Sequence, residues 1–255
     1  MARTVPARAV AVAGAVVVLV AGLGACASPG DDEDPDRRSF PLSGRTLTID
    51  SDDSALEIVA ADGNEPGRVR VTRWFSGSVT LGEAPKVSWK MEDDRLVLRM
   101  HCSGFVADCA ARHRIEVPRG VAVKVDDKDG SVRARGFRDA LSIRTADGSV
   151  RVTDSTGPLV LRSDDGSVRA EVSSRRVEAR TRDGSVRLEL GAVPDLVDAR
   201  SDDGSVTVGL PRGTYKVSTH TDDGSVDVSV PRDDSSPHVV NARTADGKVT
   251  VRTAN

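Results

Sequence analysis

The sequence predicts an all-β chain: a parallel β-solenoid of 18–20-residue turns with a less regular N-terminal cap. Three observations predict it. The tetrapeptide Asp-Gly-Ser-Val begins at Asp129, Asp147, Asp165, Asp183, Asp203 and Asp223, and a variant, Asp246-Gly247-Lys248-Val249, closes the series at spacings of 18, 18, 18, 20, 20 and 23 residues. Apolar and polar residues alternate with a period of two on both sides of each Asp-Gly pair, which is the pattern of strand, corner, strand with one buried face. Aromatic residues make up only 3% of the 255 residues while 38% are hydrophobic, so the core must be built from Val, Leu, Ile and Ala.

The N-terminus reads as an address. Arg3 and Arg8 precede an uncharged run from Ala9 to Ala25 that has the basic start and short apolar centre of an export signal. It ends in Leu23-Gly24-Ala25-Cys26, which resembles a bacterial lipobox, where the thiol takes a diacylglyceryl group and palmitate-type chains before cleavage. An uncleaved membrane helix is the alternative, since the run lies near the lower limit for spanning. Residues 1–25 are therefore expected to be a lipoprotein signal peptide, and residues 26–40 a lipidated Cys26 followed by an acidic tether too polar to bury itself. The whole chain carries a formal charge of -3; removing residues 1–25 takes away two Arg and no acids and leaves -5, which argues against nucleic acid as a partner.

Residues 41–120 are expected to hold divergent repeats and a cap, and residues 121–255 the regular solenoid. Counting each corner Asp as zero, the column six before it reads Val123, Leu141, Leu159, Val177, Val197, Val217, Val240, and that four before reads Val125, Ile143, Leu161, Ala179, Ala199, Thr219, Ala242. The columns three and five after are almost all Val, Ala or Leu. Two divergent copies fit the same template, one around Asp53 (Leu47, Ile49, Leu56, Ile58) and one around Asp93 (Val87, Trp89, Leu96, Leu98). Asp-Gly between alternating strands is also a strong hairpin signal. A meander of some fourteen strands, however, would have to close a wide barrel that Val and Ala cannot fill, or leave an apolar face in water. A coil avoids both, and the usual crossover rule makes it right-handed.

In such a coil the corner glycines Gly130, Gly148, Gly166, Gly184, Gly204, Gly224 and Gly247 are expected to supply positive φ, and the preceding Asp to close an Asx turn. Short hydroxyl residues two before Asp, such as Thr145, Ser163 and Thr181, are placed to satisfy backbone groups at the bend. Stacked Asp residues about 4.8 Å apart would repel one another by roughly 0.9 kcal/mol per pair in a water-like dielectric. Two outward Arg columns could offset this: Arg144, Arg162, Arg180, Arg200 and Arg243, and Arg133, Arg151, Arg169 and Arg187. With Glu171, Glu178, Glu189 and Asp198 among them, the plain reading is mutual neutralisation and solubility. The sharper one makes Arg133, Arg151, Arg169 and Arg187 a flat cationic face for a repeating anion, such as a wall polymer or lipid headgroups.

Cys102 and Cys109, an even pair in an exported chain, are expected to form a disulfide. The flanking His101 and His113 mimic a zinc site, but zinc needs reduced thiolates, so no metal is expected there. Paired acids at Asp164/Asp165, Asp202/Asp203 and Asp222/Asp223 lack the glycine-rich calcium repeat, so no calcium is expected either. No catalytic residue and no cofactor are expected. Hydrolysis by paired carboxylates requires two different environments, which a motif copied at each turn does not provide. His220, Ser225 and Asp222 or Asp223 lie on one tight corner without a nucleophile elbow. His101, His113 and His238 read as solvated or loop residues, and Trp74-Phe75 and Trp89 as core or cap.

The repeated Thr/Ser-x-Asp-Gly-Ser-Val units, following the Cys pair and Arg114-Ile115-Glu116-Val117-Pro118-Arg119-Gly120, resemble a bacterial β-strand-repeat family catalogued as a putative adhesin domain of unknown function. The likeness covers roughly residues 45–255. It implies a β-helical, non-catalytic envelope protein, lipid- or membrane-anchored on the extracytoplasmic face, with some members linked to envelope-stress systems. The expectation is thus a cell-envelope lipoprotein acting as a structural or binding module, with the membrane, an anionic envelope polymer or a membrane protein as partner. The alternatives are an enzyme acting on a wall polysaccharide and an accessory of an envelope-stress sensor.

Overall fold

Alternating Val, Leu, Ile and Ala oblige each strand to bury one face, and two sheets do so against each other. The computed structural model describes residues 34–62 and 67–254; the expected signal peptide and Cys26 lie outside the described residues. Among those described there is no helix, and 21 strands form an 11-stranded and a 10-stranded sheet.

The N-terminal strands are β1 (Asp36–Pro41), β2 (Thr46–Ser51), β3 (Ser54–Ala61), β4 (Arg68–Gly82), β5 (Lys86–Glu92), β6 (Arg95–His101) and β7 (Gly104–Pro118). Seven coils follow, each with one strand in either sheet: β8 (Ala122–Asp127) with β9 (Val132–Arg135), β10 (Leu141–Thr145) with β11 (Val150–Thr153), β12 (Leu159–Ser163) with β13 (Val168–Val172), and β14 (Arg176–Arg180) with β15 (Val186–Leu190). The last three pair β16 (Leu196–Arg200) with β17 (Val206–Leu210), β18 (Lys216–His220) with β19 (Asp223–Val228), and β20 (Val239–Arg243) with β21 (Asp246–Thr253).

Neighbouring coils pair in parallel, and equivalent repeat positions align. Val132, Val150, Val168, Val186, Val206 and Val249 sit side by side in one sheet. Val123, Leu141, Leu159, Val177, Val197 and Val240 do so in the other. All twelve are at most 2% exposed, and each fully buried aliphatic side chain contributes about 1.5–3 kcal/mol. The solenoid with a less regular N-terminal end is therefore the fold.

The corner glycines differ from expectation in their reason. Gly130, Gly148, Gly166, Gly184 and Gly204 do not have positive φ; only Gly224 and Gly247 do, at 153° and 147°. What excludes a side chain is the neighbouring coil: a Cβ on Gly148 would lie 1.9 Å from the Gly130 carbonyl oxygen, and one on Gly166 2.2 Å from that of Gly148. The bend is fastened by the hydroxyl column. Ser163 Oγ accepts the Gly166 N–H (2.9 Å) and donates to the Gly148 carbonyl (2.9 Å), while Thr181, Ser201 and Thr244 donate to the glycine carbonyls of the adjacent coil at 2.6–2.7 Å. The hydroxyl residues thus do the work assigned to Asx turns of the corner Asp.

Stacking departs from chain order once. The last coil, β20–β21, lies between β16–β17 and β18–β19, so residues 216–228 form the outer end. The inward columns explain the exchange. The final coil carries Val240, Ala242, Val249 and Val251, all 0% exposed, whereas the penultimate one puts Thr219 at a core position and leaves Val226 46% exposed.

At the other end, the copy around Asp53 is a true coil: β2 and β3 pair in parallel with β8 and β9, and Leu47, Ile49, Leu56 and Ile58 are at most 1% exposed. The copy around Asp93 is not. β5 and β6 form an antiparallel hairpin within one sheet, turning at Asp93 and Asp94, both at positive φ. That turn, rather than a corner, is the physical outcome of two successive left-handed residues. β4 and β7 form a long antiparallel ribbon, and β1 adds to the outside of β4, so residues 36–40 are paired strand rather than part of the expected tether, with Phe40 packed against the core.

Candidate functional site

The parallel register builds outward ladders as strictly as it builds the core. On one sheet Arg133, Arg151, Arg169 and Arg187 are consecutive partners on β9, β11, β13 and β15, preceded by Glu57 and followed by Thr207 and Thr250. At about 4.8 Å per strand the four span about 14 Å. Arg169 pairs with Glu171 at 2.9 Å, whereas Arg133, Arg151 and Arg187 have no carboxylate partner among the described residues. Glu57 is taken by Arg114 at 2.6 Å. Beyond the ladder, Glu189, Gly209 and Arg252 are in register, and Arg252 reaches across the glycine to Glu189. A side chain at Gly209 would collide with that carboxylate. An open groove of about 800 Å³ runs alongside, lined by Arg169, Glu171, Glu189, Arg252 and the bend around Asp154.

The opposite sheet carries the other ladder and neutralises its centre, Arg162, Arg180 and Arg200, while Arg144 and Arg243 have no carboxylate partner among the described residues. Glu178 binds Arg162 at 2.9 Å and Arg180 at 3.5 Å, and Asp198 binds Arg200 at 2.8 Å. Charge balance at the corner comes from neither ladder. Arg182, one residue before a corner Asp, bridges Asp165 at 2.6 Å and Asp183 at 3.3 Å, and holds the Asp165 carboxyl below the usual range. Asp147 sits between Asp129 and Asp165, and their carboxylates push its own carboxyl up.

The other residues singled out in the sequence fall partly as expected, the cysteines and Trp89 among them, and partly elsewhere. Cys102 and Cys109 are joined, with Cα atoms 6.3 Å apart. His113 is not solvated: it points inward from β7, 0% exposed, 6.2 Å from the Trp89 ring. Burial, and then the Arg73 charge, push its imidazole down to about 4. His238 is half-buried, its Nδ1 2.9 Å from the Pro194 carbonyl and its ring against Tyr215. Trp89 is core, stacked beneath Arg73 and Arg38; Trp74 lies under Arg112. His220 Nε2 meets the exposed Asp222 at 2.9 Å, and Ser225 does not join them. Among the described residues, no group of three His, Cys, Asp or Glu could hold a metal ion.

Asp127 is the residue sequence reasoning passed over. It stands in the hydroxyl column, 6% exposed, its Oδ2 accepting the Gly130 N–H at 2.8 Å. Burial pushes its carboxyl up to about 7, helped by Asp129 and Asp53 and opposed by the Ser51 hydroxyl and the Gly130 N–H. A buried acid with such a shift is a common mark of catalysis. Asp127, however, lines none of the five principal surface depressions and turns its Oδ2 to the Gly130 N–H of its own corner. Of the three carboxylates that line the large groove, Glu171 and Glu189 are each paired with an arginine, and Asp154 stands on the bend.

Stacked coils with flat, register-ordered faces define a class: β-solenoid repeat proteins. Residues 114–255 match the model of the Toastrack DUF4097 family, more than half of the chain, and the chain belongs to that family. No curated protein matches it. Two solved structures are similar over 87% of this chain. One, described as a putative cell adhesion protein from Clostridium sporogenes, is covered in full at 12% identity with a TM-score of 0.33. The other, a putative adhesin from Bacteroides fragilis, is covered over 98% at 10% identity with a TM-score of 0.42. At those scores neither carries an inference for this chain.

Proposed function

We propose that the protein is a non-catalytic binding module of the cell envelope, held at the extracytoplasmic face of the membrane by a lipid on Cys26, and that Arg133, Arg151, Arg169 and Arg187 bind a repeating polyanion of the envelope. The supporting observation is a difference between the sheets: on one, Glu178 and Asp198 take the three central arginines, Arg162, Arg180 and Arg200, while on the other only Arg169 of the four has a carboxylate partner among the described residues. Evenly spaced cations on a rigid sheet suit a polymer whose charges also recur. The adhesin label of the family the sequence resembles points the same way. The lipid reading rests on Leu23-Gly24-Ala25-Cys26 alone, and no described helix is long and apolar enough to cross a membrane.

The test is binding of the processed chain to poly(glycerol phosphate), with and without Arg151→Ser, Arg169→Ser and Arg187→Ser together. Three exposed ion pairs at about 0.5 kcal/mol each amount to about a tenfold loss of affinity. Added salt should weaken the parent and hardly affect the variant. Equal binding by both removes the cationic face. Acyl mass on Cys26 of chain isolated from its native envelope tests the anchor separately.

A further inference from the structure

β4 and β7 run on past the body of the molecule. Ala111–Pro118 of β7 is flanked by β3, but Gly104–Ala110 and its partners Ser76–Gly82 have no third strand. This overhang ends in apolar side chains with nothing over them: Phe105 is 85% exposed, Leu81 82% and Val106 58%. An apolar cluster at the end of a two-stranded finger contributes nothing to the core, and such patches mark contact surfaces. Of the charges nearby, Lys86 bridges Glu83 at 2.9 Å, and Asp108 lies further back on the overhang opposite Ser78. The disulfide from Cys102 to Cys109 ties the base of the finger to the end of the neighbouring hairpin.

The path of the chain says what faces this tip. β1 is antiparallel to β4, with Pro41 opposite Arg68 and Asp36 opposite Arg73. The N-terminal end of β1 therefore points along β4 toward Gly82 and the tip. From the level of Arg73 to Gly82 the finger extends about 30 Å, at about 3.4 Å per residue. Ten residue-to-residue steps lead from Cys26 to Asp36, a reach of at most about 36 Å when fully extended. A lipid on Cys26 can thus draw the bilayer level with the tip and hardly beyond it. We propose that Leu81, Phe105 and Val106 form a lipid-contacting tip that enters the bilayer interface beside the anchor and sets the body off the membrane. The inference rests on the anchored reading proposed above.

The test separates the two. The processed chain, with a histidine tag replacing residues 1–25, is tethered to phosphatidylcholine vesicles through a nickel-chelating lipid, so attachment does not depend on acylation. Phe105→Trp provides the probe, and Asp234→Trp, on an exposed loop at the other end of the solenoid, the control. The expected result is a blue shift of the Phe105→Trp emission and its loss with brominated acyl chains, diminished by adding Leu81→Ser and Val106→Ser, with neither effect for Asp234→Trp. Emission of the Phe105→Trp chain that brominated lipid leaves unchanged, on vesicles shown by flotation to carry the protein, overturns the proposal. So does a blue shift that appears without vesicles as the chain dimerises, which would make the occupant a second copy. Absence of an acyl group on Cys26 in the native envelope would instead remove the anchor and leave the quenching result to be read on its own.

Discussion

Asp127→Asn should stabilise the protein at alkaline pH and do almost nothing in acid. In the folded chain the carboxyl is 6% exposed and pushed up to about 7, against 3.8 for an unperturbed Asp. Below pH 3.8 both states hold the proton and the group has no effect. Between 3.8 and 7 the folded state holds it and the unfolded state does not, so stability falls as pH rises. Above 7 the full cost of a buried carboxylate is present: about three pH units at 1.36 kcal/mol each, or about 4 kcal/mol. An asparagine keeps the shape and can still accept the Gly130 N–H, which Oδ2 now accepts at 2.8 Å, without ever carrying charge. The gain should be near zero at pH 4 and about 4 kcal/mol at pH 8, or about 8–16 °C in melting temperature for a domain of this size. The assay is chemical and thermal denaturation of the processed parent and variant at several pH values. An advantage for the asparagine that is the same at pH 4.5 and pH 8, or missing at both, would refute the burial of a titrating acid in the hydroxyl column.

The remaining predictions concern other buried contacts. His113, held neutral with its imidazole near 4, should make stability fall from pH 6.5 to pH 4 by up to about 3 kcal/mol as the unfolded ring alone takes up a proton; His113→Phe should flatten that limb of the stability–pH curve, most visibly in the Asp127→Asn background. Gly166→Ala should cost about 3 kcal/mol or more because its Cβ meets a backbone oxygen at 2.2 Å in a packed interior, whereas Gly120→Ala, at φ 79° with open space around it, should cost about 1–2 kcal/mol from conformation alone. Denaturant midpoints compare the two, and equal costs would mean that the corner can spread.

How far the sequence could be read depended on what its periodicity encodes. Val132 and its equivalents announce the coil because period two and an 18-residue repeat together determine both face and neighbour. The repeat could not by itself distinguish corner from hairpin at Asp93, where the same apolar offsets serve an antiparallel pair. The tell-tale there was Asp93-Asp94, two residues that tolerate left-handed φ, where the regular corners have Asp-Gly and the divergent corner at Asp53 has Asp-Ser. The exchange of the last two coils was visible as Thr219 in an otherwise apolar column and as the longest spacing, 23 residues, but only neighbour contacts give these meaning. The Arg ladder was fully legible, since parallel register turns sequence columns into rows. Its lack of partners was not, because Glu57 and Glu189 lie far along the chain from the arginines that take them. His113 was misread for a related reason: between two cysteines and a charged run, nothing local signals that β7 turns that side chain toward Trp89.

The ends of the solenoid limit what its faces can do. At one end the β5–β6 hairpin and the β1–β4–β7 strands close the core; at the other, β18 and β19 are open edges that carry Lys216, His220, Asp223 and Asp227. Charges on an unpaired edge discourage another sheet from adding to it. Within one chain the arginine row is four long. A row of four exposed cations, each worth a few tenths of a kcal/mol to about 1 kcal/mol, gives one molecule only a weak grip on a polyanion. Tethering changes the scale of the problem. Copies anchored on one surface at the end of a short linker meet successive segments of the same polymer at high effective concentration, so a weak and salt-sensitive contact becomes a lasting one without any new residue. On the proposed function, anchor and ladder are thus two halves of one device. The processed chain free in solution should bind poly(glycerol phosphate) far more weakly than the same chain displayed on vesicles.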